Sequence, residues 1–137
     1  MGKRIILKGI SILLFASIIA CDKNSDDEKS GNNIIGKWRL IEVLADPGDG
    51  SGTYQPVISD KYIEFHSDKT ITSNGALCDM TIGSNNSSSG TYSLADSTIT
   101  PLGCGIPSLE YGFTIKNSIL FINYPCIEPC GAKYIKF

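Results

Sequence analysis

The chain has 137 residues, with 12 Lys and Arg against 14 Asp and Glu, a formal net charge of −2. Its first 20 residues read as a leader (below), and removing them takes away Lys3, Arg4 and Lys8 but no acid, leaving nine basic residues against fourteen acidic ones. That balance argues against nucleic acid as a partner, since phosphate binding needs clustered Lys and Arg, and against electrostatic docking on anionic lipid. The remaining length suits one domain with a real core and is too short for two.

Lys3, Arg4 and Lys8 precede an apolar run, residues 10–19, that carries no charge. A basic head, a short apolar stretch and a small residue at the cut form a secretory signal. A membrane-spanning helix needs about 20 apolar residues, roughly twice this run. The run ends in Ile18-Ile19-Ala20-Cys21, which resembles the lipobox of bacterial lipoproteins. The resemblance implies cleavage before Cys21, a diacylglycerol on its thiol and acylation of the new amino terminus. Several acyl chains at about 0.8 kcal/mol per buried CH₂ anchor a soluble domain almost permanently. The expected organisation is therefore a signal peptide at 1–20, a lipidated cysteine with an acidic tether at 21–33, and one domain at 34–137. The expected location is the outer membrane, lipid-anchored, facing the periplasm or the cell surface.

The tether contains no apolar residue, so burial cannot offset its ordering entropy, and as a flexible coil it spans about 20 Å. Within it, Ser25-Asp26-Asp27-Glu28 resembles the acidic export signal of some Gram-negative surface lipoproteins. A plain solvated charge run explains the same residues.

From residue 34 onward the pattern is that of strands. Residues 36–44 form the first, and Trp38, Leu40, Ile41, Val43 and Leu44 do not alternate cleanly, which predicts a bulge or burial on both faces at one end. Residues 46–52 are a turn-rich loop. Residues 61–66 alternate, with Ile63 and Phe65 on one face and Tyr62, Glu64 and His66 on the other. Ser67-Asp68-Lys69 turns the chain into a strand at 70–73. Asn74-Gly75 and the Ser-rich run 84–90 bracket a long connection that carries Cys78. Strands at 91–94 and 98–102 flank Ala95-Asp96-Ser97, and Cys104 lies in the Gly/Pro loop that follows. Strands at 109–115 and 118–124 pair across Lys116-Asn117, residues 125–130 turn the chain, and residues 132–137 form the last strand.

Eight strands joined mostly by short turns indicate an all-β antiparallel meander, and closure into an up-and-down barrel removes exposed edges. Gly36-Lys37-Trp38, at the head of the first strand, resembles the Gly-x-Trp of lipocalins. With the long first loop, the strand number and the lipobox, residues 34–137 resemble the lipocalin-like domains of bacterial lipoproteins. The resemblance implies an eight-stranded lipocalin-like barrel with a binding function. The C-terminal helix of lipocalins and the late Arg that packs on their tryptophan are missing here, leaving Lys133 or Lys136 as a partial stand-in.

Chemistry-bearing constellations are sparse. His66 is the single histidine and sits at a hairpin end, without partners at the spacing of a triad or metalloprotease helix. The expectation is a protein that is not an enzyme and uses no cofactor or metal. Asp46, Asp49 and Ser51 alternate oxygens among glycines as a calcium loop does, and a glycine-rich loop over a barrel mouth accounts for the same residues. Asp96-Ser97-Thr98 resembles an O-glycan acceptor, and a plain turn fits equally. Tyr62, Tyr92, Tyr111 and Tyr124 lie on strands together with Phe113 and Phe121. They either fill a core or line a cavity for a small apolar or glycan-like ligand.

With Cys21 lipidated, Cys78, Cys104, Cys126 and Cys130 remain as an even set in an oxidising compartment, which reads as two disulfides. A zinc site wants close Cys-x-x-Cys pairs that the chain lacks. In a meander, odd-numbered connections share one end, and these four cysteines fall in the third, fifth and seventh. They should therefore sit together at the mouth, with Cys78–Cys104 and Cys126–Cys130 favoured by loop proximity among three possible pairings. Two functions follow as expectations: a binding module for a small ligand inside the barrel, or a protein-interaction or inhibitor module that uses stiffened mouth loops.

Overall fold

The computed structural model describes residues 34–137. The expected signal peptide at 1–20, Cys21 and the acidic run at 25–28 lie outside the described residues.

Nine strands follow in order: β1 Gly36–Ala45, β2 Gln55–Pro56, β3 Tyr62–Phe65, β4 Thr70–Ser73, β5 Ser88–Ser93, β6 Thr98–Pro101, β7 Tyr111–Lys116, β8 Ile119–Asn123 and β9 Cys130–Lys136. All pair antiparallel, β1 to β3 and then successively through to β9. β9 returns to β1 from Trp38↔Lys136 to Ala45↔Cys130, which closes an eight-stranded barrel. β2 is extra: after β1 parts from β3, Glu42 and Val43 of β1 pair with Pro56 and Gln55.

The uneven hydrophobic pattern of β1 has a structural cause. The β1–β9 register shifts between Leu40 and Glu42, a bulge that re-aims the side chains on either side of Ile41. On β3 and β8 the alternation is regular, with Ile63 and Phe65 buried on one and Leu120 and Ile122 on the other, while β9 buries Cys130, Gly131 and Ala132 in succession. β5 starts earlier than the Ser/Gly composition of 84–90 suggests, at Ser88. The small residues serve a packing purpose there: a Cβ on Gly90 would lie 2.5 Å from the Thr100 carbonyl of β6.

The two ends differ. At the closed end the turns are tight: Lys69 N donates to His66 O and His66 N to Thr70 O. The β7–β8 turn is centred on Asn117 and Ser118, one residue later than expected, both with positive φ. The described chain also begins and ends here, with Phe137 N donating to Lys37 O. At the loop end lie the connections between β1 and β3, β4 and β5, β6 and β7, and β8 and β9.

Candidate functional site: the loop end of the barrel

The barrel interior is occupied by its own side chains. Trp38, Leu40, Phe65, Phe113, Leu120 and Tyr134 are all buried in one cluster with the other inward positions. Phe65 meets Tyr92 edge-on with ring centroids 5.0 Å apart, and Phe113 at 5.8 Å. Ile34 stops the closed end, where Trp38 Nε1 donates to its carbonyl at 2.6 Å. Leu77, from the β4–β5 connection, folds inward until no surface remains exposed and stops the other end.

Of the four tyrosines considered as ligand contacts, three point inward and each hydroxyl has a partner. Tyr92 donates to His66 O at 2.7 Å and Tyr111 to Leu77 O at 2.6 Å, while the Tyr124 and Tyr134 hydroxyls lie 3.5 Å apart. Burial raises Tyr111 and Tyr134 well above the usual phenol range and pushes Tyr124 up to about 12. Tyr62 is separate. It stands on the outer wall, under the Lys37 ammonium at 4.9 Å and edge-on to Phe137. Lys136 takes the position over the Trp38 ring, at 5.5 Å, whereas Lys133 pairs with Glu42 on the wall and covers Tyr54.

The loop end is built by side chains that bridge one connection to the next. Disulfide Cys78–Cys104, with Cα atoms 5.4 Å apart, joins the β4–β5 and β6–β7 loops, and Cys126–Cys130 closes the β8–β9 turn. These are the pairings favoured from loop proximity, and the strand register places all four cysteines at one end. Ser59 Oγ donates to Ile82 O at 2.6 Å, and Asn74 Nδ2 donates to Asp60 O at 2.9 Å while its Oδ1 accepts from Tyr62 N. Asp46 N donates to Pro129 O, tying the first loop to the last.

Lys61 was not singled out in the sequence, yet it is the hub of this end. Its side chain is fully buried, and its ammonium donates to Thr81 O at 2.7 Å and lies 3.5 Å from Asp79 O. Gly75 makes room for it: a Cβ there would come within 3.0 Å of the lysine stem and 2.4 Å of Gly83 O. Burial lowers Lys61 to about 8, against the pull of the nearby Asp79 carboxylate. A lysine at a strand start ordinarily reads as solvated, so no local signal marks this one.

The calcium-like loop has another use. Asp46 Oδ1 accepts from Gly48 N and Gly50 N and its Oδ2 from Gly52 N, so the carboxylate is spent on the loop's own amides, which hold it below its ordinary range. Among the described residues no group of three or more His, Cys, Asp or Glu is placed to hold a metal ion. His66 lies at the closed end, its Nε2 2.9 Å from Thr72 Oγ1. Asp96 accepts from the Ser93 hydroxyl in the β5–β6 turn, and Ser97 beside it has positive φ.

Two open concavities mark the surface. One, about 470 Å³, is formed by residues 100–109 of the β6–β7 loop. The other, about 400 Å³, lies on the wall where β1 parts from β3, between Arg39 and Asp60.

A family model described as a lipocalin-like domain matches residues 34–122. The match ends before β9, the strand that closes the barrel. No curated protein and no solved structure matches the chain significantly.

Proposed function

Because the chain belongs to the lipocalin-like domain family, we propose that it is a non-enzymatic binding module whose working surface is the loop end and not the barrel interior. One observation carries this reading: the interior is filled by the protein's own aromatic and aliphatic side chains and stopped at one end by Ile34 and at the other by Leu77. A ligand inside would have to displace packed side chains, at several kcal/mol for each large one. The loop end, in contrast, is exposed and stiffened by two disulfides, which lowers the entropy lost on binding.

The second part of the proposal concerns placement. The resemblance of residues 18–21 to a lipobox supports a lipid on Cys21 and, with it, an outer-membrane location. The domain begins at Ile34, at the closed end, so a tether spanning about 20 Å holds that end toward the membrane and leaves the loop end facing away. Replacing Cys21→Ser should release the protein from the detergent phase, and unchanged partition defeats the anchor.

The binding reading is tested with a photo-crosslinker placed at Ile106 or Ile127 in the intact cell envelope, with Thr114 on the wall as control. A discrete adduct from the loop-end positions and none from the wall supports it. Equal labelling at all three positions, or a stoichiometric small molecule retained in native mass spectrometry, counts against it.

A further inference from the structure

Seven large apolar side chains are exposed in the described domain, and five of them stand on the loop end: Ile58, Ile82, Leu102, Ile106 and Ile127. Ile58 and Ile127 are fully exposed. Scattered single residues of this kind are ordinary. Here they occupy all four connections of one end, which the Ser59–Ile82 hydrogen bond and the Cys78–Cys104 disulfide hold side by side. The concavity at 100–109 lies among them, lined by Leu102, Ile106, Pro107 and Leu109, and has room for an apolar side chain from outside.

The loop-end connections that carry this crown are acidic, and Arg39 of β1 borders Ile58 and Asp60 in the wall concavity. The loop-end connections carry Asp46, Asp49, Asp60, Asp79, Glu110 and Glu128. Their sole basic residue is Lys61, which is buried beneath them. Hydrogen bonds from loop amides and hydroxyls hold Asp46, Asp49 and Asp79 below the ordinary carboxylate range, so they stay ionised in mildly acidic surroundings. The other six basic residues of 34–137 lie on the walls and the closed end, where the Lys37–Glu64 and Lys133–Glu42 pairs are found. The domain is thus electrically lopsided, with its apolar surface inside the acidic half.

We propose that the loop end docks a cationic, aliphatic segment of a partner protein, with the isoleucines taking its apolar side chains and the surrounding carboxylates its Lys or Arg. The inference rests on the loop-end reading above and adds the chemistry of the partner. The same carboxylates repel anionic lipid headgroups and a second copy of the chain approaching loop end to loop end, where like charges would face each other. Long-range attraction to a basic partner also speeds encounter and weakens with salt.

The test uses the full chain in nanodiscs of phosphatidylcholine and three synthetic peptides of equal length: alternating Lys and Leu, alternating Glu and Leu, and alternating Lys and Ser. Fluorescence anisotropy should show the Lys/Leu peptide binding at least about tenfold more tightly than either control, with affinity falling as salt is raised. Glu110→Gln with Glu128→Gln should weaken it and flatten the salt dependence. The charge-matched pair Asp68→Asn with Asp96→Asn, at the closed end, should leave it unchanged. Ile106→Ser with Ile127→Ser should weaken it at every salt concentration. Equal binding of the Lys/Leu and Glu/Leu peptides, still lost in the isoleucine variant, overturns the cationic partner and leaves the loop-end reading standing. Binding that responds equally to both carboxylate pairs overturns the inference as non-specific charge attraction. No peptide binding, together with uniform crosslinking in the envelope, sinks both readings.

Discussion

The two ends of this barrel are ordered by different physics. At the closed end the connections are short, and hydrogen bonds within or beside each turn, together with a buried tryptophan, hold them. At the loop end the connections are long, and each is held by side chains or covalent links reaching into its neighbour. Short turns lose little entropy on closing, whereas long loops must be tied down to be ordered at all. Backbone conformation differs in the same way. The loop end places Gly48, Gly50, Gly103 and Gly105 at positive φ with one non-glycine, Ser108, whereas the closed end has Gly36 and, in its turns, the non-glycines Lys69, Ser97, Asn117 and Ser118. The long loops are built for a fixed surface, and the tight turns carry uncorrected backbone strain.

Breaking the closed end should do the most damage. Trp38→Ala removes the largest buried side chain at that end and the hydrogen bond to Ile34. A loss of about 3 to 5 kcal/mol is expected in denaturant unfolding, and a loss below about 1 kcal/mol would show that Trp38 is not a keystone. The loop end should fail more gently. Replacing Cys78 and Cys104 by Ser opens a ring with a sequence separation of 26 and should cost about 3.5 kcal/mol, against about 2 for the Cys126–Cys130 pair. Hydrogen exchange should speed up at 74–87 and 102–110 while the closed-end hairpins stay protected. Uniform acceleration would erase the distinction between the two ends.

Proton linkage sharpens the contrast. Lys61 falls from 10.5 to about 8 on folding, so between those values the unfolded chain holds a proton that the folded chain has released, and stability rises with pH. The gain should reach about 2 kcal/mol near pH 10. Tyr111, Tyr124 and Tyr134 are raised above 10. Above that value the folded chain keeps protons that the unfolded chain loses, so stability then falls. The unfolding midpoint should therefore peak near pH 10, and in Lys61→Met the rise should vanish while the fall remains. A flat profile in the unaltered protein would contradict the burial of Lys61.

The smallest effect relieves the closed-end turns. Asn117 and Ser118, both left-handed, form the kind of two-residue turn that favours Asn-Gly. Ser118→Gly should raise stability by about 0.5 to 1 kcal/mol. Lys69→Gly should gain only a few tenths of that order, because the Lys69 ammonium lies 5.5 Å over the Tyr92 ring and that contact is lost. A lower melting temperature for Ser118→Gly would refute the turn assignment.

The closed end was the more legible half of the sequence. Ser67-Asp68-Lys69 and Ala95-Asp96-Ser97 announce turns by local chemistry, and the broken alternation around Ile41 announces the bulge. That the four cysteines share one end followed from counting connections, because parity fixes which loops share an end, and loop proximity then favoured the pairing that the structure has. What local pattern cannot show is set by distant chain. β2 is two residues long and exists because the first loop returns beside β1. Ser88 reads as loop but supplies the hydroxyl that accepts from Leu77 N and donates to Gly75 O. Alternation on 61–66 sets Tyr62 opposite Ile63 and Phe65, as the structure has it, but gives no comparable reading for Tyr92, which faces in. The filled interior depends on Ile34 and Leu77, both outside the strands, folding over the two ends.

Closure by β9 has a consequence for biogenesis. Until residues 130–136 pair with both β8 and β1, the sheet is open, with the backbone donors and acceptors of β1 and β8 bare along its two edges. β9 is the last strand in the chain, and its partner β1 is the most distant from it in sequence, so the slowest contact to form is also the one that hides the edges. In that interval the nascent domain is a template for strand addition by another copy. Proteolytic trimming within 130–136 would make the interval permanent, converting a closed barrel into an aggregation nucleus while leaving the turns and Cys78–Cys104 chemically intact.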